Sequence, residues 1–213
     1  MRSQIPEARG YSSKRMLRRQ GDILAAAREM LSQGDGEIRM RELAERSDVA
    51  LGTLYNRFGS KEAIAAAAVL EVFHKHIVAW EDTIGANVAE RLDHRVRSTA
   101  AEILLQPAFA RTMVSLYFRA ASAGQDNVVE LLHAIPKREN VKAIEELQSA
   151  GVLLADVRID MLAEEMVLAQ YATIARWAQG SICDDELVPR LNRVIHNHLL
   201  AWLAPEFRTR WPA

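Results

Sequence analysis

From Lys14 onward the apolar residues Ile23, Leu24, Ala27, Met30 and Leu31 recur at steps of one, three and four, the spacing of one helix face. Gly34 and Gly36 end that stripe. A short helix is predicted over roughly 40–47, with Met40, Leu43 and Ala44 apolar; Asp48 breaks it, and a second short helix runs from about Leu51 to Arg57. After Gly59, Ser60 reads as an N-cap, and Glu62 places a negative charge in the first turn of a long helix that extends to about Thr83. Further helical spans follow over roughly 87–105, 107–122, 126–149, 158–179 and 185–203, punctuated by Pro107, Gly124, Gly151 and Gly180. Pro136 is expected to kink or split the helix that contains it, and Pro189 to be tolerated only near a first turn. No β-branched run alternates with polar residues. The pattern predicts an all-α chain.

Residues 39–62 carry the most specific pattern. Two short helices meet at a tight turn around Ser47-Asp48, where Asp can take the left-handed conformation that usually calls for Gly. Leu43, Ala44, Val49, Leu54 and Phe58 are spaced to pack the pair together and against Ile23, Ala27 and Met30, with Ala44 small enough for a close crossing. This is the pattern of a helix-turn-helix, whose second helix can enter a major groove. Leu51, Gly52, Thr53 and Asn56 make a small, mostly uncharged tip: Gly52 allows close approach to DNA, and Thr53 offers a hydroxyl and a methyl to base edges. Tyr55, Arg57 and Lys61 ring that tip with donors for phosphate oxygens, Lys61 standing at a helix start that itself favours anions. Arg41 is placed for a guanine at the groove edge. The expected organisation is a disordered arm over 1–12, a helix-turn-helix domain over 13–62, and a helical effector-binding and dimerisation domain over 63–213.

Charge sharpens this division. Residues 1–62 hold 12 Lys/Arg against 9 Asp/Glu, and the remainder 15 against 19, so a basic head sits on an acidic body. The arm residues Arg2, Arg9, Lys14, Arg15, Arg18 and Arg19 could reach phosphates, or could form a solvated tail. The longest apolar run, Ala63–Leu70, is eight residues, against about twenty for a spanning helix, and no leader pattern opens the chain. With a single cysteine, Cys183, this leads to the expectation of a cytoplasmic protein with no membrane partner. His74 and His76, like His196 and His198, are two apart, which puts them on different sides of a helix; metal chelation wants a step of three or four. No metal, cofactor or catalytic motif is expected. Phe73, Trp80, Leu104, Phe109, Met113, Tyr117, Phe118, Met166 and Trp177 could line an apolar effector cavity, with Tyr117, Gln170 or His133 as polar fixers, although for each of them a place in the core is the simpler reading. Between Met161 and Ala178 the only charged residues are Glu164, Glu165 and Arg176. A helix so apolar is expected to be covered on several sides. With the stripe Leu187, Leu191, Val194, Ile195, Leu199 and Trp202, it predicts a homodimer through the last two helices.

The run Asp48-Val-Ala-Leu-Gly-Thr-Leu-Tyr-Asn-Arg-Phe-Gly-Ser-Lys-Glu62, preceded by Arg41-Glu-Leu-Ala44, closely resembles the DNA-binding domain of the tetracycline-repressor (TetR/AcrR) family. Its Asp-Val-Ala-x-Gly-Thr-Leu-Tyr variant also resembles that of actinobacterial steroid-catabolism repressors, among many other relatives. The resemblance implies a homodimeric, ligand-responsive regulator and carries DNA contacts onto Arg41, Leu51, Gly52, Thr53, Tyr55, Asn56, Arg57 and Lys61. Three positions depart from the family's habit: Arg39 and Met40 stand where a capping Thr is common, Asp48 replaces a turn Gly, and Ala50 replaces a capping Ser. The function expected is a repressor that binds a near-palindromic operator on double-stranded DNA and is released by a small apolar effector. The alternatives are an activator of the same family, or a helical small-molecule-binding protein with a vestigial helix-turn-helix.

Overall fold

The computed structural model describes the backbone over 8–33, 37–81, 87–118 and 126–208, and side chains over 16–33, 37–72, 87–118 and 129–208. Nine α-helices are present among the described residues: α1 (Ala8–Leu31), α2 (Met40–Arg46), α3 (Leu51–Phe58), α4 (Lys61–Glu81), α5 (Val88–Leu105), α6 (Pro107–Phe118), α7 (Asp126–Ser149), α8 (Ile159–Ala178) and α9 (Asp184–Leu200). A 3-10 turn, Pro205–Phe207, follows. The fold class is all-α; the described residues contain no strand, only an isolated antiparallel bridge between Leu153 and Leu203.

The helices fall into two compact units, Met1–Val69 and Leu70–Ala213. In the first, α1 packs on α2 and α2 on α3. Its core is Ile23, Leu24, Ala27, Met30, Leu43, Ala44, Leu54, Ile64 and Val69. The apolar steps of the sequence point inward as expected, except that Val49 and Phe58 are only half-buried. Helix α1 starts at Ala8, inside the stretch 1–12 assigned to an arm. No proline stands between Pro6 and the apolar stripe, so the helix is free to run back through Ala8 and Arg9. Residues 1–7 lie outside the description.

In the second unit α8 is the hub, packing on α6, α7 and α9, while α5 packs on α6, α7 and α9. Leu162, Ala163, Met166, Val167, Tyr171, Ile174 and Trp177 are buried on α8. Of the stripe on α9, Leu187, Leu191, Ile195 and Leu199 are buried within their own chain, while Val194 and Trp202 are half-buried. A fully buried Asn140 ties three helices together: Arg95 of α5 donates to its Oδ1, and its Nδ2 donates to the Ala163 carbonyl of α8 at 3.4 Å.

Both internal prolines lie inside continuous helices. Helix α7 runs unbroken through Pro136. Proline has no N–H for the carbonyl four residues back, which here is Leu132, on a buried residue. The Tyr171 hydroxyl supplies the missing donor, reaching the Leu132 carbonyl oxygen at 2.8 Å. Pro189 lies in the second turn of α9, next to the first turn near which a proline is tolerated. Both it and Asp185, whose carbonyl loses its partner, are exposed, so water can take the lone pairs.

Candidate nucleic-acid interface

The turn between α2 and α3 is built by the backbone. Asp48 has φ 51°, in the left-handed region, where an Asp side chain is among the few that fit. Its N–H donates to the Glu45 carbonyl at 3.2 Å, and that of Val49 to the Ala44 carbonyl at 3.0 Å. These two bonds form a Schellman closure, with Asp in the place usually held by Gly. Neither Arg39 nor Ala50 caps the following helix with its side chain, in line with the departures in the sequence. Gly59, at φ 82°, ends α3, and Ser60 Oγ accepts from the Ala63 N–H at 3.2 Å, fixing the start of α4.

Leu54 is the fully buried anchor of α3. Around it Gly52, Thr53, Tyr55, Asn56 and Arg57 are all exposed, as are Arg41 and Lys61, while Leu51 is half-buried. Tyr55 keeps 49% of its surface exposed, so it does not serve the core beside Leu54. A Cβ built on Gly52 would meet no protein atom within 4 Å. Nothing inside the fold therefore requires glycine there. Arg41, Ala44, Glu45, Asp48, Val49, Ala50 and Leu51 line an open cleft of about 520 Å³ along the turn. Arg57 is held by α1, its Nη2 donating to Gln20 Oε1 at 2.6 Å. Gln20 was not singled out in the sequence because it lies 37 residues from its partner and carries no motif of its own. Arg46 is likewise anchored, donating to Glu42 at 2.6 Å and to Gln33 at 3.3 Å.

One face of this unit is thus a helix end rich in small and donor side chains, standing out from an apolar anchor. A single exposed helix of this kind is what a major groove admits. Replacing Gly52 by alanine should leave the fold intact or stabilise it by about 0.5 kcal/mol, while weakening specific DNA binding by about tenfold. Thermal unfolding and fluorescence anisotropy on the same variant would measure the two effects. Loss of stability with unchanged binding would contradict the assignment.

The cavity candidates of the second unit divide. Phe109, Met113, Met166 and Trp177 are buried; Leu104, Tyr117, His133 and Gln170 are half-buried; Phe118 is exposed. The side chains of Phe73, His74, His76 and Trp80 lie outside the described residues, as do those of Arg2, Arg9, Lys14 and Arg15. Residues 119–122, expected to complete α6, are also outside. Among the described residues no group of three His, Cys, Asp or Glu could hold a metal ion, and no helix is long and apolar enough to cross a membrane.

Comparison with known proteins agrees with this geometry. Residues 23–68 match the family model described as bacterial regulatory proteins, tetR family. The HTH-type transcriptional repressor KstR of Mycobacterium tuberculosis is 31% identical over 149 residues, covering 66% of this chain and 67% of that protein. The KstR of Rhodococcus jostii is 27% identical over 168 residues, covering 76% of this chain and 79% of that protein. In fold, the chain is similar to the transcriptional regulator FadR of Bacillus subtilis, solved in complex with stearoyl-CoA. The TM-score is 0.69 at 19% identity, over 83% of this chain and 96% of that one.

Proposed function

The chain belongs to the tetR family of bacterial regulatory proteins, and on that premise we propose that it is a ligand-responsive repressor that binds a near-palindromic operator as a homodimer. The observation that carries this reading is the exposed tip of α3 around the buried Leu54. Thr53 and Arg41 read base edges; Tyr55, Arg57 and Lys61 position the helix on the backbone; Leu51, Gly52 and Asn56 complete the tip that enters the groove, with Gly52 giving close approach. Repression, not activation, is favoured by the two curated relatives, both repressors by name.

The two classes of contact have different signatures. Thr53→Ala or Arg41→Ala should reduce discrimination between operator and random DNA by about tenfold. Lys61→Ala should weaken binding to all sequences alike and lower the salt slope by about one phosphate. Titrations at several salt concentrations check this. A change of sequence preference with Lys61→Ala and none with Thr53→Ala would reverse the assigned orientation of α3.

A second copy is proposed to cover the face of α8 left open by α6, α7 and α9. Met161, Glu165, Leu168, Ala172 and Arg176 recur along it at steps of three and four, all exposed, with Met161 at 43% and Leu168 at 46%. Leu200 on α9 is also exposed. The buried stripe on α9 therefore supports the core, and the exposed stripe on α8 supports the partner. Two reading heads would then meet half-sites one helical turn, or a multiple, apart. Leu168→Glu should convert the dimer to monomer in sedimentation at micromolar concentration; a monomeric native protein would remove the proposal.

The effector is proposed to be a small, largely apolar molecule taken up by the second unit. Helix α4 runs from Lys61 to Glu81 without a break, so it belongs to the first unit up to Val69 and to the second beyond it. A ligand that favours a different α4 orientation would reset the spacing of the reading heads. About 1–3 kcal/mol of coupling suffices for that.

A further inference from the structure

We propose that Tyr117 is a specificity-determining residue for the effector, selecting an apolar molecule that carries a hydroxyl over one that carries a carbonyl at the same place. The inference rests on the reading of the chain as a ligand-responsive regulator. Three helices build the device: Tyr117 stands on α6, His133 and Lys137 on α7, and Glu164 on α8. The Tyr117 hydroxyl lies 2.8 Å from His133 Nδ1, and His133 Nε2 lies 3.0 Å from Glu164 Oε2. Lys137 Nζ sits 3.0 Å from the same carboxylate oxygen and 3.0 Å from Asp160.

The direction of each bond in this chain follows from its far end. Lys137, and after it His133, hold the Glu164 carboxyl below the usual carboxylate range. It is therefore ionised at neutral pH and can only accept. The hydrogen between it and His133 must then be on Nε2. In the neutral imidazole Nδ1 is left with a lone pair, and the Tyr117 hydroxyl must donate to it. Burial, with the nearby Glu164 charge, pushes the Tyr117 hydroxyl's pKa up, so it keeps its proton. A phenol has one hydrogen. Once that is committed to His133, the oxygen offers an incoming ligand only acceptor lone pairs.

The surroundings make this oxygen a marked feature. The Tyr171 ring stacks on Tyr117 with centroids 3.8 Å apart and planes 7° apart, and its own hydroxyl is committed to the Leu132 carbonyl. The exposed Phe118 ring meets Tyr117 edge-on at 5.1 Å and 84°. Tyr117 is half-buried, not sealed in the core, and the proposed effector approaches it past this aromatic surface. A ligand hydroxyl donates to the oxygen. A ligand carbonyl sets lone pair against lone pair and is left unpaired on desolvation, a mismatch that polar sites reject strongly.

The test uses a matched pair of probes on the full chain, 4-tert-butylcyclohexanol and 4-tert-butylcyclohexanone, with affinities from isothermal titration. The alcohol should bind about tenfold tighter or better, and Tyr117→Phe should bring it to the level of the ketone. The positioning residue Glu164 acts through His133. Glu164→Gln, whose amide can donate to Nε2, frees the Tyr117 proton and should narrow the ratio. Nitrogen shifts of the His133 imidazole should show the Nε2–H form in the native protein and lose that preference in Glu164→Gln. Equal affinities, no binding of either probe at millimolar concentration, or an Nδ1–H imidazole would overturn the proposal. The underlying regulator reading is checked separately by sequence-specific DNA binding without any probe, so the two failures are distinguishable.

Discussion

Replacing Trp177 by alanine is expected to cost about 3–5 kcal/mol of folding stability. The indole is buried in the last turn of α8, and its Nε1–H donates to Asp184 Oδ1 at 2.8 Å. That bond ties the end of α8 to the first residue of α9. The Arg111 guanidinium lies 5.2 Å from the ring centroid, a distance at which a cation is attracted to the aromatic face. Removing the ring opens a cavity at the hub helix and loses both the bond to Asp184 and the contact with Arg111, two exposed side chains that water can then take. Urea unfolding at one fixed protein concentration measures the loss, since the proposed dimerisation would add to the apparent stability. Trp177→Phe should keep most of the packing and lose only the hydrogen bond, about 1 kcal/mol. A change below 1 kcal/mol for the alanine variant would mean that the ring lines open space instead of filling the core.

The second large effect concerns a hydroxyl. Tyr171→Phe should cost about 1–3 kcal/mol although it removes one atom, because the Leu132 carbonyl would be left buried without a donor. The cause is Pro136, which withholds the N–H that a helix would ordinarily provide. Pro136→Ala restores that N–H, so Tyr171→Phe should cost markedly less in the Pro136→Ala background. A double-mutant cycle in urea isolates the coupling. Equal costs in both backgrounds would show that the hydroxyl and the proline are unrelated.

These two cases mark where the sequence was legible and where it was not. Apolar steps of three and four located the helices within a few residues, because helix geometry is local: α2, α3, α5 and α7 begin where the pattern begins. Asp48 in the left-handed region and Ser60 as a cap were equally readable, since each depends on one side chain and its own backbone. What escaped is set by tertiary neighbours. A proline in α7 reads as a break until Tyr171, 39 residues from Leu132, is brought to its carbonyl. The period of the stripe on α9 cannot tell which body covers it, and Leu187, Leu191, Ile195 and Leu199 are buried within their own chain, where α9 packs on α8 and α5. The chain from Tyr117 through His133 to Glu164 spans separations of 16 and 31 residues, with no motif to announce it. On α3, exposure of Thr53, Tyr55 and Asn56 follows from one buried neighbour, Leu54, which is why that face is visible from its residues alone.

Selection from a pool of random duplexes tests the central claim most directly. The full-length protein should enrich a near-palindromic sequence whose half-sites lie one helical turn or a multiple apart. It should bind that sequence at least about a thousandfold tighter than random DNA at physiological salt, and Thr53→Ala should relax the preference within each half-site. Enrichment of no sequence, or equal affinity for selected and random duplexes, would contradict it.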